Sequence, residues 1–167
     1  MVGGERILVP VEDPKVMRRV IDYVGAMIAG RDHVVVHLFH RLPSLPPQLR
    51  EHGGSEDSER ERLLREELER DIYRWVSEQQ NKCRLVLNEA HERLIGAGVP
   101  GDAVRMKIGK AAFADEELGE ALRRTAWELD CRTIALSREQ APALRNIFRN
   151  RPRDRVKDAA FVIWMVG

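Results

Sequence analysis

Residues Thr133 to Val156 read TIALSREQAPALRNIFRNRPRDRV. A short apolar run, Thr133–Leu136, gives way to a polar stretch and then to helix-like sequence, with Leu144, Ile147 and Phe148 forming an apolar ridge. A run that short, apolar without alternation, suits a strand buried on both faces, as in a parallel sheet. In α/β proteins a strand-to-helix loop of this kind often holds a phosphate, through glycines that let bare N–H groups approach oxygen. This loop has no glycine; it has Arg138, Arg145, Arg149, Arg151, Arg153 and Arg155.

The same grammar recurs along the chain. Arg6–Val11 (RILVPV) and His33–Phe39 (HVVVHLF) are two more apolar runs, Ala103–Ile108 (AVRMKI) is another, and Phe161–Val166 (FVIWMV) is the last. Between them lie helical periods. Asp13 is placed to cap a helix with Pro14 in its first turn. Val16, Val20, Val24, Met27 and Ile28 follow at helical spacing, up to Gly30 as a stop. Asp115 is placed to cap a helix carrying Leu118, Leu122, Ala126 and Leu129, and Val156 and Ala159 mark a last helix. The order β-α-β-α-β-α-β-α-β predicts an α/β fold: an open five-stranded parallel sheet with helices on both faces, Rossmann-like, in a single domain over residues 1–167. Ligands in such sheets sit beyond the carboxyl ends of the strands. Here those ends are Val11–Asp13, Phe39–Arg41, Gly109–Ala112 and Ser137–Gln140.

Residues 42–97 are the unusual part. Leu42–Gly54 reads as a loop with three prolines and Gly53-Gly54. From Ser55 a helical period runs through Leu64, Leu68, Ile72 and Trp75, and later through Val86, Ala90 and Leu94, to Gly96 and Gly98. Glu61/Arg65 and Glu66/Arg70 sit four apart on its outer face. One helix of about 40 residues would be about 60 Å long, wider than a small domain. The polar stretch Ser77–Lys82 tips the expectation to two helices.

The 167 residues carry 28 Lys and Arg against 27 Asp and Glu, a net charge of +1, so no global field draws the chain to nucleic acid or membrane. With few exposed aromatics expected, nucleic-acid recognition by Arg145–Lys157 is disfavoured. Cys83 and Cys131 form no CxxC pair and read as reduced thiols. No apolar run is long enough to span a bilayer, and the expected setting is the cytoplasm. His37 and His40, three apart on one strand, point to opposite faces and cannot share a metal. His91 lacks a partner at metal spacing, and GxGxxG, GxxxxGK, HExxH and GxSxG are all absent. No catalytic residue is indicated. Trp127 and Trp164 fall on patterned core faces.

In order and spacing, ILVPVEDP, VVVHLFH, Val104–Gly109, TIALS and DRVKDAAFVIWMV resemble the universal stress protein family over nearly the whole chain except Leu42–Trp75. The resemblance implies the adenine-nucleotide alpha-hydrolase-like fold and a homodimer joined through the last strand, Phe161–Val166. In members that bind ATP, the loop after the fourth strand carries two glycines near its start, and a glycine followed by a small hydroxyl residue near its end. Those places fall here on Ser137, Gln140, Asn150 and Arg151. The family's aspartate after the first strand falls on Glu12. A Cβ at Gln140, a bulky side chain at Arg151 and the missing donor at Pro152 all weaken a backbone cradle.

The expectation is therefore a regulatory or interaction module of that kind in a stress response. It would have a degenerate nucleotide loop, no ATP-dependent catalysis, no required cofactor, and a homodimeric or other protein partner. The alternative is an adenine-nucleotide binder, for ATP or AMP. Its candidate site is Val11, Glu12, Ser137, Arg138, Gln140, Asn150 and Arg151, with backbone near Val11 meeting the base and loop arginines (Arg138, Arg145, Arg149, Arg151) holding the phosphates. The plainer reading of those arginines, which the sequence favours, is a solvated face partly paired to Glu139, Asp154 and Asp158.

Overall fold

The structure is a computed structural model, and it describes residues 4–51, 53–110, 116–149 and 161–167. Five strands form one sheet: β1 (Glu5–Pro10), β2 (Val34–His40), β3 (Val104–Ile108), β4 (Thr133–Ser137) and β5 (Val162–Val166). Their order across the sheet is β3-β2-β1-β4-β5, and every pair is parallel. Leu8 lies beside His37 and Ile134, and Ala135 beside Trp164, so the open parallel sheet expected from the run of elements is the observed one.

The strands read as continuous apolar runs because both faces are covered. On one face Ile7, Val9, Leu38 and Ala135 meet Val20 and Val24 of α1 (Pro14–Ile28) and Leu87, Ala90 and Leu94 of α3 (Ser58–Gly96). On the other, Leu8, Phe39, Ile134 and Leu136 meet Leu122 and Ala126 of α4 (Leu118–Glu128) and Ile147 of α5 (Leu144–Arg149). Alternate residues of each strand thus serve opposite cores, the period-2 geometry of a pleated strand.

Local chemistry sets the helix ends. Asp13 caps α1, its Oδ1 accepting from the Lys15 N–H at 2.8 Å, with Pro14 as the first helical residue. Two residues beyond α1, Gly30 holds φ at 74°, a left-handed value glycine adopts without strain. Gly25 of α1 is the point of closest approach to the end of α3: a Cβ there would lie 2.8 Å from that of Ala97. The first residue of α4 is Leu118, with Glu117 at its N-cap, so Asp115, outside the described residues, is not that cap. The helix expected around Val156 and Ala159 also lies outside the described residues.

Two expectations are corrected. Residues 58–96 form one helix of 39 residues, about 58 Å long, and it runs through Ser77–Lys82 without interruption. That stretch is polar but contains no glycine or proline, and i,i+4 pairs support the helix before it: Glu61 with Arg65, and Arg62 with Glu66 in place of the expected Glu66/Arg70. The loop before it carries a short helix, α2 (Pro47–Arg50), which packs on α3. The second correction is Trp127, which is 60% exposed on α4 instead of buried in the core; Trp164 is partly buried and does pack against it. No helix among the described residues is long and apolar enough to cross a membrane.

Candidate functional site

Pairing within the sheet continues one step past two strand ends. Val11 donates its N–H to the Phe39 carbonyl at 2.9 Å, and Gly109 donates to the His40 carbonyl at 2.8 Å. This brings the residues after β1, β2 and β3 to one level, where a cleft of about 600 Å³ opens between them and α3. Glu12, Arg41, Lys82, Lys110, Glu116 and Arg124 supply its charged lining. Phe39, Leu42, Pro43 and Val86 supply its apolar part.

Arg41 organises this space. Its Nε donates to Glu12 Oε1 at 2.5 Å and its Nη2 to Glu12 Oε2 at 2.8 Å, while Nη1 donates to the Glu116 carbonyl at 2.6 Å. The Arg41 backbone N–H adds a 3.3 Å bond to Glu12 Oε1. The planar fork thus joins the ends of β1 and β2 to the lead-in of α4, and the bond to Glu12 raises the already high pKa of the guanidinium. The Glu116 side chain in turn takes both terminal nitrogens of Arg124. Lys107 donates to Glu128 at 2.6 Å, which holds the Glu128 carboxyl below its usual range.

Two further side chains complete the wall. His40 Nδ1 lies 2.6 Å from the Arg41 carbonyl; a carbonyl only accepts, so Nδ1 carries the proton. The Cys83 thiol faces the same carbonyl at 3.8 Å, and burial, with Glu12 nearby, pushes its pKa up, so it is a neutral thiol rather than a nucleophile.

The residues expected to form the site do not converge. Glu12 lines the cleft; Val11 lies buried beneath it with its N–H already used. Ser137, Arg138 and Gln140 form a separate group after β4, none of them in the cleft lining. There, residues 138–143 wind into a tight 3-10 turn instead of an open loop, and the Gln140 side-chain oxygen accepts the Ser137 N–H at 3.0 Å. The Arg138 guanidinium lies against Gly167. Arg145 is exposed on α5; Asn150 and Arg151, like Asp154 and Asp158, lie outside the described residues. Glu139 pairs with Arg19 of α1. Among the described residues no three His, Cys, Asp or Glu come together at a metal-binding distance.

Sequence reading missed Lys82, Glu116 and Arg124, while Arg41 and Lys110 fell within the strand ends it named, Phe39–Arg41 and Gly109–Ala112, without being singled out as site residues. Arg41 was within reach, since it directly follows the apolar run of β2. Lys82 required knowing that α3 is unbroken, because the helix carries it back over the sheet.

No protein-family model matches the sequence, and no curated protein does. Solved structures do. A protein of the universal stress protein family from Burkholderia pseudomallei superimposes with a TM-score of 0.61 at 17% identity, over 99% of this chain and 98% of its own. The universal stress protein from Archaeoglobus fulgidus, solved in complex with dAMP, gives 0.58 at 13% identity over 100% of both chains. This is the universal stress protein fold. A further universal stress protein, solved with cAMP, gives 0.50 at 13% identity. Universal stress protein structures therefore align over nearly the whole of this chain, although identities this low carry the fold and not the site.

Proposed function

We propose that this chain is a regulatory module of the universal stress protein type, acting in the cytoplasm as a homodimer and performing no ATP-dependent catalysis. The observation that carries this reading is the closed turn after β4. The amide of Ser137, which a nucleotide loop would offer to phosphate, is bonded to the Gln140 side chain, and residues 138–143 are wound into a tight turn. Glu12, the acid that would reach a ribose or metal, is held on both oxygens by Arg41. The dimer would form along β5, which ends the strand order and leaves Val162 53% and Met165 40% exposed.

A second reading, an adenine-nucleotide binder, is favoured by the two fold relatives solved with dAMP and cAMP. In it Arg138 and its neighbours would replace the amides as phosphate ligands.

Two measurements test these readings. Light scattering on the eluting protein should give the mass of two chains for the wild type and of one for Val162→Lys/Met165→Lys; a monomeric wild type defeats the dimer. The melting temperature should not move with millimolar ATP and magnesium. Ligand at a hundredfold excess over its Kd would add about 2.7 kcal/mol, so a clear shift overturns the first reading and its absence the second.

A further inference from the structure

The ionic groups of the cleft leave positive charge over. Glu12 is answered by Arg41 and Glu116 by Arg124, and Arg41 spends Nε, Nη1 and Nη2 on these contacts. Lys82, projecting from α3, and Lys110, just past β3, line the same cleft; among the described residues neither makes a hydrogen bond or a close ion pair, and Lys110 acts only at longer range on Glu128 of α4. Among the described residues, the lining thus holds four cations (Arg41, Lys82, Lys110, Arg124) against two carboxylates (Glu12, Glu116), apart from His40. Cys83 does not offset them, since burial keeps its thiol protonated. Beside the lysines the wall is apolar: Phe39, Leu42, Pro43 and Val86. At about 600 Å³ the space falls within the roughly 300–1,000 Å³ typical of small-molecule sites.

The geometry points to a binding site for a phosphomonoester with an apolar body: Lys82 and Lys110 take the phosphate, and the Phe39–Val86 wall takes the body. A phosphate monoester fits because it carries close to two negative charges on one group, at neutral pH, with several strong acceptors. Both lysines are exposed at the mouth, so an entering anion meets no desolvated charge and displaces no internal ion pair. The Glu12–Arg41 clasp is the floor of the site, not its ligand. The inference goes beyond the regulatory reading. It assigns the signal to a place that does not include the β4 turn, and it stands or falls separately from dimerisation and from ATP.

The test is the melting temperature of the full chain at low salt with inorganic phosphate, phenyl phosphate or phenol. Phenyl phosphate should stabilise more than inorganic phosphate, and phenol should not stabilise at all. Lys82→Gln and Lys110→Gln should each weaken phenyl phosphate about tenfold or more, the value of a charged hydrogen bond. Arg138→Gln should bind as the wild type does. No shift with phenyl phosphate, lysine variants that bind unchanged, or loss of binding in Arg138→Gln would each overturn the site. Equal shifts with phosphate and phenyl phosphate would overturn the apolar wall's part in it.

Discussion

Arg41 and Glu12 meet as a planar pair, two N–H groups on two carboxylate oxygens at 2.5 and 2.8 Å, with side chains only 28% and 24% exposed. Half-removed from water, the pair stabilises through geometry more than through net Coulomb gain. Arg41→Met leaves Glu12 half-buried without a partner and the Glu116 carbonyl without its donor. We expect a loss of about 1–3 kcal/mol in urea unfolding. The double variant with Glu12→Gln should lose less than the sum of the single variants; strict additivity would mean the pair contributes nothing.

Gln140 is a strand-end clip. Gln140→Ala removes the acceptor for the Ser137 N–H, in a residue that is 1% exposed. The expected loss is about 1 kcal/mol in the same assay. An unchanged midpoint would show that the turn closes without the side chain.

His37 supplies a pH signature. Its pKa is lowered, first by burial and then by Arg6, Arg105 and Lys107 around it. The unfolded chain therefore takes up this proton before the folded one does. The stability it contributes is present above the unfolded value near 6.5 and is lost as pH falls from there through the folded value. The wild type should lose stability relative to His37→Gln between pH 7.5 and pH 5.5. A gap that stays constant over that range would contradict the assigned environment.

Cys131 gives the opposite edge. It is 2% exposed, and burial raises its thiol from 9.0 to about 11. A raised folded value contributes stability in full below pH 9 that is lost as pH climbs to about 11. Relative to Cys131→Ala, the wild type should weaken by about 2 kcal/mol across that window. Its thiol should also resist alkylation at neutral pH until the chain unfolds.

The sheet was legible because buried parallel strands announce themselves as unbroken apolar runs, and Asp13-Pro14 and Gly30 punctuate α1 unaided. Trp127 was misplaced because a helical stripe read from sequence is broad. Leu122 and Ala126 fill the core side, and Trp127, one residue on, rotates out. The cleft was only half legible. The rule that ligands sit at strand ends pointed to Phe39–Arg41 and Gly109–Ala112, which hold Arg41 and Lys110, but Lys82 comes from α3, about 30 residues away from Lys110 in sequence. Which of many surface charges face one another is a tertiary fact that local pattern does not encode.

That same helix offers the sharpest dynamic test. All the buried residues of α3, Cys83, Leu87, Ala90 and Leu94, lie in its second half, while Leu63 is 52% and Tyr73 76% exposed in the first. Burying two leucines contributes about 1.5–3 kcal/mol each, so opening the second half costs far more than fraying the first. Amides of 83–94 should therefore exchange with solvent deuterium on the order of a hundredfold or more slower than those of 60–72, a ratio equal to about 2.7 kcal/mol. Uniform protection along 58–96 would contradict a bare first half. Protection of 60–72 that falls on dilution would show a second copy covering it.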